Sequence, residues 1–163
     1  MTGVRMSEFT EAMAQLAAGV AVVAVREDRD DVGTTVTALM SVSLDPPLVL
    51  VSLSSESYLT EMLLRRDTWA ATLLSADQTA VASRFATPGR PSARLLVAGT
   101  PHHRGSRSEA LIIEGGVAAI EAETTRVLPA GDHTLFLAKV LAIDYVDAAV
   151  QPLVRLRGRY RPV

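Results

Sequence analysis

Residues 37–48 read TALMSVSLDPPL, and VLVSL follows directly at residues 49–53. Proline cannot continue a hydrogen-bonded strand, so Asp45, Pro46 and Pro47 predict a break between two extended segments. The first segment spans residues 34–44 and mixes threonine and serine with apolar neighbours. The second spans residues 48–53, a short apolar run typical of a strand buried on both faces. This stretch predicts two β-strands separated by a turn.

Further strands and helices are expected on both sides of this pair. Extended segments are expected at residues 20–25, 69–74 and 133–145, and again from residue 117 onward. Amphipathic helices are expected near residues 7–19, at residues 58–66 and at residues 75–86, where Ser75 and Gln78 have the spacing of a capping box. About six strands with few helices and no regular βαβ repeat favour a mostly β fold, an antiparallel barrel with helices packed outside.

The segments outside these elements carry their own predictions. Proline and glycine recur through residues 87–116, which predicts a long irregular loop. Residues 1–6 are expected to be a flexible N-terminus, and residues 1–163 to form a single domain. Near residue 120, apolar side chains alternate with Glu121 and Glu123, as in a half-exposed strand.

Composition excludes several classes of function. The formal net charge of −2 gives no long-range attraction for nucleic acid. The chain has no cysteine, so no disulfide, thiolate nucleophile or cysteine metal site is expected, and a reducing cytoplasm fits best. No stretch approaches the roughly 20 apolar residues that span a bilayer, so no membrane partner is expected. Adjacent His102 and His103 are interpreted as solvated polar residues, and no metal site is predicted.

A hydroxyl-rich stretch is the strongest local indication of a ligand. Threonines and serines follow one another at short spacing from residue 34 to residue 57. Hydroxyls two residues apart on a strand face one way and offer neutral donors to a ligand lying against the sheet. The β propensity of threonine and the turn chemistry of serine explain the same pattern without a ligand. A charged ligand would also need a cation, for which Arg84 is a candidate.

Four motifs, taken in order, resemble the flavin reductase-like family. They are TALMSVSLDPPL at residues 37–48, SRFA at residues 83–86, GDHT at residues 131–134 and RGRY at residues 157–160. The resemblance implies an FMN-binding split β-barrel of Greek-key type, a homodimer with the flavin in a groove at the subunit interface. It also implies an NAD(P)H-dependent reductase that transfers hydride to FMN or FAD, with NADH or NADPH as donor. The reduced flavin would pass to a partner flavin-dependent monooxygenase.

The same resemblance implies roles for individual residues. Four residues would lie along the isoalloxazine ring: Thr37, Ala38, Leu39 and Ser41. Four would hold the ribityl chain and phosphate, with Phe85 packed nearby: Ser43, Ser54, Ser57 and Arg84. His133 would be the catalytic residue near flavin and nicotinamide, and Tyr160 would help to close the site from the last strand. The chain departs from the family pattern at Arg155, Leu156 and residues 98–109, on the nicotinamide side.

Other interpretations of these residues stay open. His133 follows Gly131 and Asp132, so the alternative interpretation is a turn residue bonded to Asp132. Tyr160 is a possible core aromatic. The alternating Arg155, Arg157 and Arg159 favour a solvated cationic face opposite an apolar one over a cofactor-phosphate site. At the level of function, the alternatives are an FMN-binding protein with little reductase activity, acting as a carrier, and a split barrel that performs non-redox chemistry on a small metabolite.

Overall fold

The computed structural model describes residues 3–163. The strands are β1 Ala18–Gly19, β2 Ala21–Arg26, β3 Asp31–Val36, β4 Leu39–Leu44, β5 Pro47–Ser54, β6 Thr68–Leu73, β7 His102–Arg104, β8 Leu111–Ile113, β9 Ala118–Ala130, β10 His133–Val146, β11 Leu153–Leu156 and β12 Arg159–Pro162. The helices are α1 Met6–Met13, α2 Tyr58–Leu63, α3 Thr79–Ala86 and α4 Ala93–Leu96, and a 3₁₀ turn at Ala76–Gln78 precedes α3. The predicted mostly β, antiparallel fold with peripheral helices is confirmed.

Seven strands form the main sheet, in the order β3-β2-β6-β9-β10-β5-β4. All the neighbours pair antiparallel. The two edge strands, β3 and β4, are consecutive in the chain and are separated only by Thr37 and Ala38. The opposite edges of the sheet therefore meet at these two residues, and the sheet curls into a barrel that is open beside β4.

The core lies on both faces of β2. Alternate residues of β2 join two buried clusters, one built around Trp69 and Phe136 and the other around Phe85 and Ile112. The Trp69 indole N–H donates to Thr124 Oγ1 at 3.1 Å, so burial of the large ring leaves its polar group satisfied. Gly33 of β3 must be glycine, because a Cβ there would lie 2.8 Å from a ring carbon of Phe85.

The strands β9 and β10 form a long hairpin whose turn determines the position of His133. Its turn consists of Gly131 and Asp132, with Gly131 at φ 62°. Glycine at the first central position of a two-residue turn matches type II′, whose twist suits the flanking strands. The turn fixes His133 as the first residue of β10, directly opposite Ala130 on one side and Ser54 on the other.

A second, smaller sheet closes the end of the barrel near α1. It has the order β1-β11-β12, and the β11–β12 hairpin turns at Arg157 and Gly158, both with positive φ. The cross-strand pairs are Arg155 with Tyr160 and Leu156 with Arg159. Residues directly opposite each other share a face, so the expected single cationic face is wrong. Arg155 shares its face with Tyr160, whereas Arg159 and Arg161 share the other with Leu156 and Val154.

The long irregular loop predicted for residues 87–116 is wrong in part. The segment contains α4 and the hairpin of β7 and β8, whose Leu111–Ile113 strand is buried. Proline and glycine separate these short elements but do not prevent them, because buried apolar side chains anchor α4 and β8 to the core and β7 pairs with β8. His102 is exposed and His103 is 38% exposed, as expected for solvated polar residues; His103 also contacts two carboxylates, with its Nε2 2.8 Å from Asp144 Oδ2 and its Nδ1 3.1 Å from Glu114 Oε1.

Two predictions about strand burial are also wrong. In β5 only Val51 and Leu53 are buried, so one face of this strand is open to solvent. Glu121 of β9 is fully buried and accepts hydrogen bonds from the backbone N–H of Arg107 and of Ser108 and from the Ser108 hydroxyl. A carboxylate with this many donors tolerates burial, which alternation of residue types along a strand does not reveal.

The N-terminal prediction falls partly outside the described residues. Residues 1 and 2 are not among them, and Met6, the last residue of the expected flexible segment, already begins α1. α1 buries none of its residues, and Phe9 is 60% exposed. Across residues 3–163, no helix is long and apolar enough to cross a membrane.

Candidate functional site

An open cavity of about 410 Å³ lies where β4 forms the edge of the sheet, and we call it the sheet-edge cavity. Its lining consists of Leu16, Ala17, Ala18, Gly19, Thr37, Ala38, Leu39, Met40, Leu50 and Ser52. Three of the residues expected along a flavin ring, Thr37, Ala38 and Leu39, are therefore brought together. The walls are mainly apolar with a few hydroxyl groups, as in most sites for planar organic ligands.

The face of the sheet beside this cavity continues toward His133. Ser52 pairs with Leu135, and two residues farther along Ser54 pairs with His133. Because the side-chain period of a strand is two, Ser52, Ser54 and His133 lie on one face. Two residues of strand correspond to about 7 Å, so Ser54 and His133 stand at the rim of the sheet-edge cavity.

His133 is held by its neighbour at this rim. Its Nδ1 lies 2.7 Å from Asp132 Oδ1, and the side chain is 46% exposed. The hydrogen bond from His133 lowers the pKa of Asp132, so the carboxylate stays ionised and orients the imidazole. The turn contact proposed from the sequence is thus present, and it leaves Nε2 of His133 available to a ligand.

A second cavity of about 280 Å³ lies at the other end of β3, and we call it the Ser57 cavity. It is lined by Asp30, Asp31, Val32, Gly33, Ser57, Tyr58, Gly89, Arg90, Pro91 and Ser92. Ser57 is the N-cap of α2, where its hydroxyl accepts from the Thr60 backbone N–H at 3.1 Å. The chain runs from Ser52, which lines the sheet-edge cavity, through Ser54 to Ser57, which lines the Ser57 cavity.

Arg90 is the cation of the Ser57 cavity, and sequence reasoning missed it. Its Nε donates to the Gly33 carbonyl at 2.8 Å and its Nη2 contacts Thr34 Oγ1. Burial lowers the pKa of Arg90, although a guanidinium remains charged under all ordinary conditions. An isolated arginine between Gly89 and Pro91, in a segment expected to be irregular, carries no recognisable signal in the sequence.

An ion-pair network holds the wall of the Ser57 cavity. Asp31 is fully buried and accepts from Arg104 at 2.9 Å and from Nε of Arg94. Burial opposes ionisation of Asp31, but hydrogen bonds from Arg104 and Arg94 outweigh it and hold the pKa of Asp31 below its usual range. The two arginines neutralise the carboxylate, so the charge of Asp31 does not repel an anion from Arg90.

The remaining predicted residues are not brought into these cavities. Arg84 is exposed, and its Nη2 donates to Thr100 Oγ1 at 3.0 Å. Phe85 is buried in the core against Gly33. Ser41 and Ser43 lie on β4, beyond the sheet-edge cavity and across a register shift from each other.

Arg155, the cross-strand partner of Tyr160, lines a third, smaller cavity of about 130 Å³. The Arg155 guanidinium carbon is 5.6 Å from the centre of the Tyr160 ring. Tyr160 is half-buried and packs against the core cluster that contains Leu153. This third cavity shares Leu16, Ala18 and Thr37 with the sheet-edge cavity.

The hydrogen-bonding groups around the sheet-edge cavity and the Ser57 cavity fit an FMN molecule. β4 pairs only with β5, so its other edge presents backbone N–H and C=O groups, which match the alternating donors and acceptors on the pyrimidine edge of a flavin. Gly33, which lines the Ser57 cavity, and Thr37, which lines the sheet-edge cavity, are separated by about 13 Å of extended strand. With the flavin ring in the sheet-edge cavity and the phosphate in the Ser57 cavity, the ribityl chain would run along β3 and past Ser52 and Ser54. Among residues 3–163, no acidic residue lines the sheet-edge cavity.

Comparison with known proteins agrees with this geometry. The sequence profile of the flavin reductase like domain matches residues 13–163. An NADH-dependent FMN reductase, AsuE2, from Streptomyces nodosus subsp. asukaensis is 38% identical over 160 residues, covering 94% of this chain and 83% of that protein. The reductase component of 4-hydroxyphenylacetate 3-monooxygenase from Thermus thermophilus is 33% identical over 153 residues, covering 94% of this chain and 93% of that protein.

A solved structure extends the match to three dimensions. The crystal structure of BorF, the flavin reductase component of a bacterial two-component tryptophan halogenase, superposes with a TM-score of 0.90 at 30% identity and covers 98% of each chain. The profile match spans all the strands and cavities described above. This chain therefore belongs to the flavin reductase like domain family.

Proposed function

We propose that this chain is an NAD(P)H-dependent flavin reductase that binds FMN, or FAD, in the sheet-edge cavity. The observation that carries the proposal is the sheet-edge cavity itself, which Thr37, Ala38 and Leu39 line beside the unpaired backbone edge of β4. Ser52, which also lines this cavity, lies on the same face of the sheet as His133. The family and the names of the relatives support the same activity. A bound flavin supplies the chemistry by accepting a hydride, two electrons and a proton, from the dihydronicotinamide.

In this scheme the residues of the chain position the flavin ring and balance the charge of its phosphate. Leu39, Met40 and Leu50 give the ring an apolar surface, and Ser52 and Ser54 offer hydroxyls beside it. Ser57 and Arg90 hold the phosphate in the Ser57 cavity, with Arg84 as the alternative cation. Hydride transfer needs no nucleophile or metal, so placing two rings in contact accounts for most of the rate.

His133 is the polar group best placed to act during the transfer. Asp132 holds the imidazole through Nδ1, so that the ring, when it carries a proton on both nitrogens, would donate from Nε2 to the nicotinamide amide or to the charge that develops on the reduced ring. Both interactions strengthen as the hydride moves. We therefore retain His133 as the catalytic residue.

The shape of the site favours a product that leaves. Both cavities are open, and their donors are neutral hydroxyls and backbone groups with one guanidinium. Such a site binds flavin with moderate affinity, as a diffusible product requires. We propose that the reduced flavin passes to a separate flavin-dependent monooxygenase, since relatives are named as reductase components of a monooxygenase and a halogenase.

We also propose that the chain is a homodimer. α1 exposes Phe9 and Met13, and β4 exposes Met40 at 58% and Leu44 at 90%. Large apolar side chains on adjacent elements are typical of a subunit interface.

One assay separates the reductase from the other candidate functions. Purified protein is mixed with NADH or NADPH and FMN, FAD or riboflavin, and dihydronicotinamide oxidation is followed at 340 nm as a standard readout. A reductase binds flavin and turns over. Flavin binding without turnover would support a carrier, and neither binding nor turnover would support non-redox chemistry on another metabolite.

A further inference from the structure

The C-terminal hairpin places an arginine beside the sheet-edge cavity. Arg155 lies opposite Ala18 of β1 and opposite Tyr160 of β12, so its side chain shares a face with both. It lines the small third cavity together with Thr37 and Arg157. Since Thr37 lines both cavities, Arg155 stands next to the space assigned to the flavin ring.

The charge of this arginine is not balanced by the protein. Among residues 3–163, no carboxylate forms an ion pair with Arg155, Arg159 or Arg161, whereas other arginines of the chain pair with acidic groups. Among residues 3–163, the guanidinium of Arg157 donates to the neutral Gln15 Oε1, at 2.9 Å, and forms no ion pair. The rim of the third cavity therefore carries two uncompensated guanidinium groups in a chain whose overall charge is −2.

The geometry of Arg155 suits an anion at its edge. The guanidinium lies over the Tyr160 ring, with 5.6 Å between its carbon and the ring centre. A guanidinium placed over an aromatic face is attracted by the ring and keeps N–H groups available for contact with phosphate. The phosphate of the flavin is accounted for elsewhere, at Ser57 and Arg90, about 13 Å along β3 from Thr37.

We propose that Arg155 binds a phosphate group of the reduced nicotinamide dinucleotide and so selects phosphorylated hydride donors. This proposal rests on the proposed reductase function. The phosphate is either the pyrophosphate, common to NADH and NADPH, or the 2′-phosphate of NADPH, and the two sources share the chemistry that a stacked guanidinium recognises.

The test begins with binding, independent of turnover. NAD⁺ and NADP⁺ are titrated by calorimetry into wild-type protein, Arg155→Ala and Arg155→Lys, each saturated with FMN. Arg159→Ala and Arg161→Ala serve as controls, because these exposed arginines lie on the other face of the hairpin. We expect Arg155→Ala to weaken dinucleotide binding by about 5- to 30-fold, with partial recovery in Arg155→Lys and little change in the controls.

Kinetics with a donor that lacks phosphate completes the test. We expect Arg155→Ala to raise KM for NADH or NADPH by a similar factor while leaving flavin reduction by 1-benzyl-1,4-dihydronicotinamide unchanged. Equal loss with both dinucleotides assigns the pyrophosphate, and loss with NADPH alone assigns the 2′-phosphate.

Several outcomes overturn the proposal. Equal loss with the benzyl compound would make Arg155 a structural support of the cavity. Weaker binding of FMN with unchanged binding of riboflavin would make it a flavin-phosphate residue. Unchanged dinucleotide binding in Arg155→Ala, while the wild type reduces flavin with every donor, would refute this inference and leave the reductase function standing. If the wild-type protein binds no dinucleotide and fails to reduce flavin with every donor tested, both this inference and the proposed reductase function are refuted.

Discussion

Replacing Arg90 by alanine should weaken FMN much more than riboflavin. Arg90 is half-buried in the Ser57 cavity, where its Nε is bonded to the Gly33 carbonyl and two of its five N–H groups remain available. A hydrogen bond to a charged group contributes about 1.5–3 kcal/mol, which corresponds to roughly a 10- to 150-fold loss of FMN affinity. Riboflavin has no phosphate, so its affinity should change by less than about threefold.

The same substitution has a separable effect on stability. Gly33 is buried on the edge strand β3, and loss of the Arg90 donor leaves its carbonyl without that partner. An unsatisfied buried carbonyl costs about 1–3 kcal/mol, so the melting temperature of the flavin-free variant should fall. Arg90→Lys keeps the charge and part of the contact, and we expect it to recover FMN affinity more than stability.

Fluorescence titration of flavin into each variant measures these affinities, and Arg84→Ala is the matched control. Arg84 is the cation expected from the sequence, but it is exposed and bonded to Thr100. If Arg84→Ala selectively weakens FMN and Arg90→Ala does not, the sequence assignment is right and the Ser57 cavity is not the phosphate site. Equal losses of FMN and riboflavin in Arg90→Ala would show that this residue only supports β3.

Three further predictions test the catalytic residue, the assembly and the ion-pair network. His133→Ala should slow flavin reduction in rapid mixing by at least about tenfold with little change in the FMN dissociation constant, and a wild-type rate would leave His133 as a turn residue. Light scattering at micromolar concentration with FMN present should give the mass of a dimer, and a monomer would contradict the proposed assembly. Because the pKa of Asp31 is lower in the folded than in the unfolded chain, its stabilisation is present above the unfolded value and is lost as pH falls below about 4. Asp31→Asn should therefore remove about 2 kcal/mol from the free energy of urea unfolding at pH 7 and flatten its decline in acid, and an unchanged acid profile would show that Asp31 contributes nothing to it.

The sequence predicted the strands best where a single residue type determines the local backbone. Asp45 and Pro46 separate β4 from β5, although Pro47, expected in the break, already begins β5, and Ser75 with Gln78 forms the expected capping box before α3. The family resemblance pointed to Thr37, Ala38 and Leu39, which line one cavity where the two sheet edges meet. Local patterns suffice for these features because the contacts that decide them are close in sequence.

Features that depend on distant contacts were not predictable in this way. Arg90 enters the site because its guanidinium reaches Gly33, which is 57 residues away in the chain. Glu121 is buried because donors from residues 106–108 surround it, and the alternation around it indicated exposure. The arginines of the last hairpin are divided between two faces by a turn whose register only the paired strands reveal.

The two proposals about assembly and flavin binding are linked through the position of α1. Leu16, which follows α1 and is 66% exposed, lines both the sheet-edge cavity and the third cavity, and Met40, 58% exposed, lines the first. An apolar surface this open would leave part of a flavin ring exposed to water. That part of the ring is not buried and so adds little to the affinity. A second subunit packed against Met13 and Met40 would cover these side chains and the cavity they border. On the proposed dimer, the partner therefore completes the apolar walls that one chain supplies only in part, while the polar contacts at Ser57 and Arg90 stay within a single chain.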